Sequence, residues 1–124
     1  MEASNVLKGG CNYILTKRDR TTGAVSLEEK TLPIREKDVI IFDDIISSGG
    51  TMMKAVAYVK KQGAKTVNVA CVHALLTEEV KGKILNAGAD QIVATDSVQS
   101  PISVVSIAPL IAKVLAKKEA RKRG

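Results

Sequence analysis

The stretch Val39-Ile40-Ile41-Phe42-Asp43-Asp44-Ile45-Ile46-Ser47-Ser48-Gly49-Gly50-Thr51-Met52 decides how this chain is read. Three β-branched residues and a phenylalanine make a buried strand over 39–42. Two adjacent carboxylates follow, then a Ser/Gly turn, then a helix. That order gathers acids and backbone N–H groups at one strand end, where open α/β sheets bind ligands.

Outward from this stretch the pattern alternates strand and helix. Met52, Ala55, Val56 and Val59 recur at helical spacing over 51–62, and Gly63 stops the helix. Residues 66–72 read as the next buried strand. Thr77 then caps a helix with Glu78 and Glu79 in its first turn, where the dipole favours anions. Val80, Ile84 and Ala87 mark its inner face, and Gly88 ends it. Residues 91–94 form a further short strand, followed by the polar turn Thr95-Asp96-Ser97. Pro101 interrupts the chain. Pro109 opens a last helix with Leu110, Ile111, Val114 and Leu115 on one side. Upstream, residues 12–16 and 23–32 read as two strands joined by the exposed charged segment Lys17-Arg18-Asp19-Arg20, a β-flap. The predicted fold is a mostly parallel α/β sheet with helices on both faces and an N-terminal β-flap.

Bulk composition agrees. The 124 residues are 45% hydrophobic and 26% charged, which fits one globular domain and excludes general disorder. Aromatics are almost absent, with no Trp, one Phe and two Tyr, so the core must come from Val, Ile, Leu and Ala. The net charge of +6 is concentrated at the end, where Lys117, Lys118, Arg121, Lys122 and Arg123 face Glu119 alone. Without interleaved aromatics this reads as a solvated helix end, not a nucleic-acid contact. Cys11 and Cys71 lack metal-ligand spacing, and Cys71 falls in an apolar run, so an inert buried thiol is expected. Neither a signal peptide nor a bilayer-spanning stretch is seen, so a cytoplasmic protein without membrane contact is expected.

Residues 47–51 are built to wrap a phosphate. Gly49 and Gly50 allow backbone angles and approach that side chains forbid. Successive N–H groups then form an anion-binding concavity reinforced by the helix start, and Ser47, Ser48 and Thr51 add hydroxyls. No lysine is present, which suits a phosphate that is held and not cleaved. Ionised Asp43 and Asp44 accept hydrogen bonds from vicinal hydroxyls. Phosphate in the turn and a diol on the acids together describe a ribose 5-phosphate. A bare strand-to-helix turn needs neither two acids nor this many hydroxyls. His73, the sole histidine, is read as a structural hydrogen-bonder, and Thr95-Asp96-Ser97 as either a cleft wall or a simple turn.

The run from Asp43 to Thr51 resembles the phosphoribosyl-diphosphate signature of the type I phosphoribosyltransferase fold. The wider pattern, Cys71-Val72-His73-Ala74-Leu75-Leu76, Ile84-Leu85-Asn86-Ala87-Gly88-Ala89-Asp90, Ala94-Thr95-Asp96-Ser97 and Ser106-Ile107-Ala108-Pro109-Leu110-Ile111, is similar to ribose-phosphate diphosphokinases, particularly archaeal forms. The resemblance implies transfer of a diphosphoryl group from ATP to O1 of ribose 5-phosphate, giving phosphoribosyl diphosphate and AMP with Mg²⁺ assisting. It implies Ser47, Ser48, Gly49, Gly50 and Thr51 on the 5-phosphate and Asp43 and Asp44 on the ribose hydroxyls. It also implies catalytic cations on a mobile loop: Lys17, with either Arg18 or Arg20, because Asp19 interrupts the family's Lys, any residue, Arg spacing. Family members have two similar domains, and residues 1–124 resemble the second. Metal ligands are expected mainly in the first, along with inactivity of the second alone and a homo-oligomeric assembly. Two alternatives stay open: a base phosphoribosyltransferase, and a non-catalytic sensor of phosphoribosyl diphosphate.

Overall fold

The computed structural model describes residues 10, 16–18, 21–22, 25–27 and 31–123. Its centre is a four-stranded parallel sheet in sequential order: β3 (Asp38–Ile46), β4 (Thr66–Ala74), β5 (Gln91–Thr95) and β6 (Ser103–Val105). Helix α1 (Gly50–Lys61) links β3 to β4, α2 (Glu78–Asn86) links β4 to β5, and α3 (Ala108–Arg123) follows β6. A separate antiparallel pair, β1 (Thr16–Arg18) and β2 (Val25–Leu27), places Lys17 opposite Ser26.

The helices form where apolar periodicity and end signals agree. Helix α1 buries Met52, Ala55, Val56, Tyr58 and Val59, and Gly63 follows its C-cap Gln62 at φ +92°. Thr77 caps α2 as expected, its Oγ1 accepting from the Val80 N–H at 3.3 Å. These helices clamp the sheet through one continuous core in which Met52, Val56, Val59 and Ile84 meet Val67, Val69, Cys71, Ile92 and Ala94. Right-handed crossovers between strands in sequential order put α1 and α2 on the same face. Burial alternates accordingly, with Val67, Val69 and Cys71 enclosed and Ile40 and Phe42 about half exposed on the other side. Cover for that second face, also expected from the sequence, is not supplied by α1 or α2. Leu110, Ile111, Val114 and Leu115 of α3 are exposed as well.

Three local differences bear on the site. Strand β3 runs four residues past Phe42, so Asp43 and Asp44 lie inside the strand and not in a turn after it. The ladder pairs Asp43 with Cys71 and Ile45 with His73, and backbone pairing tolerates polar side chains that an apolar count rejects. The charged start of the expected flap loop is also strand: Lys17 and Arg18 belong to β1, with a turn at Thr21 and Thr22. Residues 12–15, Cys11 and Arg20 lie outside the described residues. Strand β6 was not anticipated, because three mostly exposed residues carry no periodic signal.

Asp90 ties the loop after α2 to the base of the sheet. Its carboxylate accepts from the Val67 N–H at 2.8 Å, and its own N–H donates to the Val67 carbonyl at 2.7 Å. The first of these bonds, with Lys60 nearby, holds the Asp90 carboxyl below the usual carboxylate range. A lowered folded pKa stabilises the protein above the unfolded value and ceases to do so as pH falls through the folded one. Asp90→Ala should therefore lower the melting temperature at pH 7, with the gap to the parent protein shrinking as the pH is taken below the carboxylate range. A gap independent of pH would assign the loss to packing instead.

Candidate functional site

The carboxyl ends of β3 and β4 converge on the start of α1. Asp43 and Asp44 leave β3 on opposite sides, the first half-buried and the second exposed. Each bends back on the backbone: Asp43 Oδ1 accepts from the Asp44 N–H at 2.8 Å, and Asp44 Oδ1 accepts from the Ile45 N–H at 2.9 Å. Such one-residue bonds compete with the ladder and fix the direction of both carboxylates. Their environments push them apart. Burial, followed by hydrogen bonding to Asp44, raises the Asp43 carboxyl above its ordinary value. Hydrogen bonding from Asp43 and then from the Ile45 N–H lowers Asp44, with a smaller contribution from the charge of His73. Asp44 is thus the firm anion of the pair, and Asp43 is the carboxylate that takes up a proton first.

The turn after β3 holds Ser47 and Ser48 exposed and Gly49 buried at φ +80°. That left-handed angle is what brings the chain into α1 without a gap. A side chain at 49 would also meet Val80 Cγ1 of α2 at 2.6 Å, so the turn is pressed against the second helix. Gly50 differs, since nothing lies within 4 Å of where its Cβ would stand. The helix begins with the Met53 N–H on the Gly49 carbonyl at 2.8 Å, and no side chain caps it. An uncapped N-terminus presents donor groups and the positive end of the helix dipole. Thr51 stands exposed in the first turn. The five residues expected around an anion are therefore contiguous at one helix end, with Asp43 and Asp44 at the end of the strand feeding it.

Cys71 lies opposite Asp43 in the ladder and is buried as expected; burial and then the Asp43 charge raise its thiol. The turn after β5 is mainly structural. Asp96 Oδ1 accepts from the Ile107 N–H at 2.9 Å, and Thr95 Oγ1 donates to the Val72 carbonyl at 2.6 Å. Ser97 is the exception: its Oγ lies 2.7 Å from His73 Nδ1 at the exposed end of β4. The sequence carried a hint in a sole histidine at a strand end. Its partner became visible only when β5 lined up beside β4.

A sequence model of the phosphoribosyl transferase domain family matches residues 1–108. The chain belongs to that family. It is similar to the ribose-phosphate pyrophosphokinase of Methanothermobacter thermautotrophicus, with 39% identity over 92% of this chain and 40% of that protein. It is likewise similar to ribose-phosphate pyrophosphokinase 2 of Archaeoglobus fulgidus, with 43% identity over 84% of this chain and 39% of that protein. Among solved structures it is similar to the phosphoribosylpyrophosphate synthetase of Mycobacterium smegmatis. The TM-score is 0.66 at 25% identity, covering 99% of this chain and 41% of that one. The domain thus spans about 40% of the length of the curated relatives it matches. No helix among the described residues is long and apolar enough to cross a membrane.

Proposed function

We propose that this domain binds ribose 5-phosphate and is the sugar-phosphate half of a ribose-phosphate pyrophosphokinase acting in the cytoplasm. The observation that carries the reading is the uncapped start of α1 behind Gly49, with Asp43 and Asp44 at the end of the same strand–turn unit. In this reading the backbone of Gly49, Gly50 and Thr51 and the hydroxyls of Ser47, Ser48 and Thr51 hold the 5-phosphate. The carboxylates of Asp43 and Asp44 hold the ribose diol, orienting O1 for attack. Lys17 on the β1–β2 hairpin, with Arg18 or Arg20, supplies mobile positive charge for the phosphates of ATP as the diphosphoryl group passes to O1 and AMP leaves. Similarity to proteins named ribose-phosphate pyrophosphokinase supports this over base transfer and over sensing without turnover.

Magnesium belongs to the proposed reaction by resemblance. Among the described residues no group of three or more His, Cys, Asp or Glu is arranged to hold a metal ion. The proposed part of Asp43 and Asp44 is binding and orientation of the ribose. The adenine pocket and the metal residues are assigned to a further domain of the kind that makes up the rest of the relatives' length, and the working enzyme to a homo-oligomer.

Calorimetric titration of the purified domain tests the reading. Ribose 5-phosphate is expected to bind weakly, and ribose lacking the phosphate to give no signal. With ATP, Mg²⁺ and ribose 5-phosphate the domain alone is expected to release no AMP. Equal binding of ribose and ribose 5-phosphate would overturn the phosphate site, and sustained AMP formation would overturn the division of labour between domains.

A further inference from the structure

His73 stands at the exposed end of β4, opposite Ile45 in the ladder and one strand over from Asp43 and Asp44. Its ring does not hang free. Nδ1 lies 2.7 Å from Ser97 Oγ, and Ser97 Oγ donates to the Val72 carbonyl at 3.1 Å. A serine hydroxyl carries one proton. A serine proton directed at the Val72 carbonyl leaves Ser97 accepting from the ring, and this assignment puts the hydrogen of a neutral imidazole on Nδ1. Thr95 Oγ1 donates to the same carbonyl and accepts from the Ser97 N–H at 3.2 Å, which holds the serine in place. The turn after β5 and the ends of β4 and β5 thus orient one exposed ring, and no hydrogen-bond partner is found for Nε2 among the described residues. Asp44 directly precedes Ile45, the ladder partner of His73, and the charge of His73 makes a small contribution to holding its carboxyl low.

We propose that His73 is a sugar-contacting residue: Ser97 fixes the ring so that Nε2 faces the hydroxyls of the ribose held at Asp43 and Asp44. This rests on the ribose 5-phosphate reading and adds a second wall to that site. A hydroxyl suits Nε2 in either state of the ring, donating to the neutral imidazole and accepting from the imidazolium. The carboxylates accept only. A pocket of two carboxylates and one imidazole therefore matches a polyol whose hydroxyls differ in direction better than it matches a bare anion.

The single histidine makes the test direct, because its imidazole nitrogen resonances need no assignment among others. In the parent protein, long-range proton–nitrogen spectra are expected to show the Nδ1–H tautomer. Ribose 5-phosphate should shift the Nε2 signal, whereas inorganic phosphate at equal occupancy should leave it in place. His73→Ala should weaken ribose 5-phosphate about tenfold, the size of one lost hydrogen bond to a polar ligand, with phosphate affinity unchanged. His73→Gln, which can present a polar group near the Nε2 position, should recover part of the loss, and Ser97→Ala should return the ring to the ordinary Nε2–H tautomer. An Nε2 signal indifferent to ribose 5-phosphate, or a His73→Ala protein that binds it as the parent does, would overturn the proposal. Failure of the parent protein to bind ribose 5-phosphate at all would overturn the ribose reading, and this contact with it, before any variant is made.

Discussion

Gly49→Ala is expected to remove ribose 5-phosphate binding and to cost the domain much of its stability. Two effects add. At φ +80° any Cβ is strained by about 1–2 kcal/mol. The new methyl would also stand 2.6 Å from Val80 Cγ1, and Val80 is β-branched and half-buried, so α2 must move. Overpacking of this kind costs about 1–3 kcal/mol. Against a typical total of about 5–15 kcal/mol the sum is large, and thermal unfolding should show a drop of roughly 10 °C. Gly50→Ala separates stability from binding. Its Cβ meets nothing within 4 Å, and alanine favours a helical position, so the melting temperature should hold or rise slightly. The methyl would nonetheless occupy the space through which an anion approaches the helix start, and affinity should fall. A Gly50→Ala protein with unchanged affinity would show that the phosphate is not seated against this backbone.

Asp44→Asn is expected to weaken ribose 5-phosphate about 10- to 100-fold while leaving inorganic phosphate unaffected. Hydrogen bonds to a charged acceptor contribute about 1.5–3 kcal/mol, and the amide keeps the oxygen that accepts from the Ile45 N–H, so the turn survives. Asp43 gives the pH signature. Its carboxyl is raised, by burial first and then by its bond to Asp44, so it protonates before its neighbour as pH falls. A protonated carboxyl is a poorer acceptor for a diol. Affinity should therefore be full at neutral pH and decline on the acid side through the raised Asp43 value, before Asp44 titrates. Asp43→Asn should bind more weakly at pH 7 and lose that acid decline. The second ionisation of the phosphate, near pH 6, is separated by running inorganic phosphate in parallel. An acid decline that persists undiminished in Asp43→Asn would assign it to another group.

Much of the fold was legible because its signals are local. Met52, Ala55, Val56 and Val59 recur at helical spacing, Thr77 precedes two glutamates, and Gly63 and Gly88 follow their helices; each acts within one or two turns of chain. The Gly-Gly turn and the helix start behind it were legible for the same reason, since glycines, hydroxyls and the first helical residues lie within five positions. Strand lengths were less so. Asp43 and His73 belong to strands because the neighbouring backbone offers ladder partners, and no side-chain pattern reports that. β6 exists only as a partner of β5, and the exposed face at Ile40 and Phe42 follows from strand order.

Residues 39–52 thus carried their chemistry in their own order: acids at a strand end, glycines in the turn, an uncapped helix behind them. Short-range sterics and hydrogen bonding are enough to specify that unit. The difference between the two aspartates, the pressing of Gly49 against Val80 and the meeting of His73 with Ser97 required the tertiary structure. Each depends on groups 24 to 31 residues apart in sequence, or on burial. Only packing of α2 and alignment of the sheet bring such distant groups within contact, and only there do their charges and volumes act on one another.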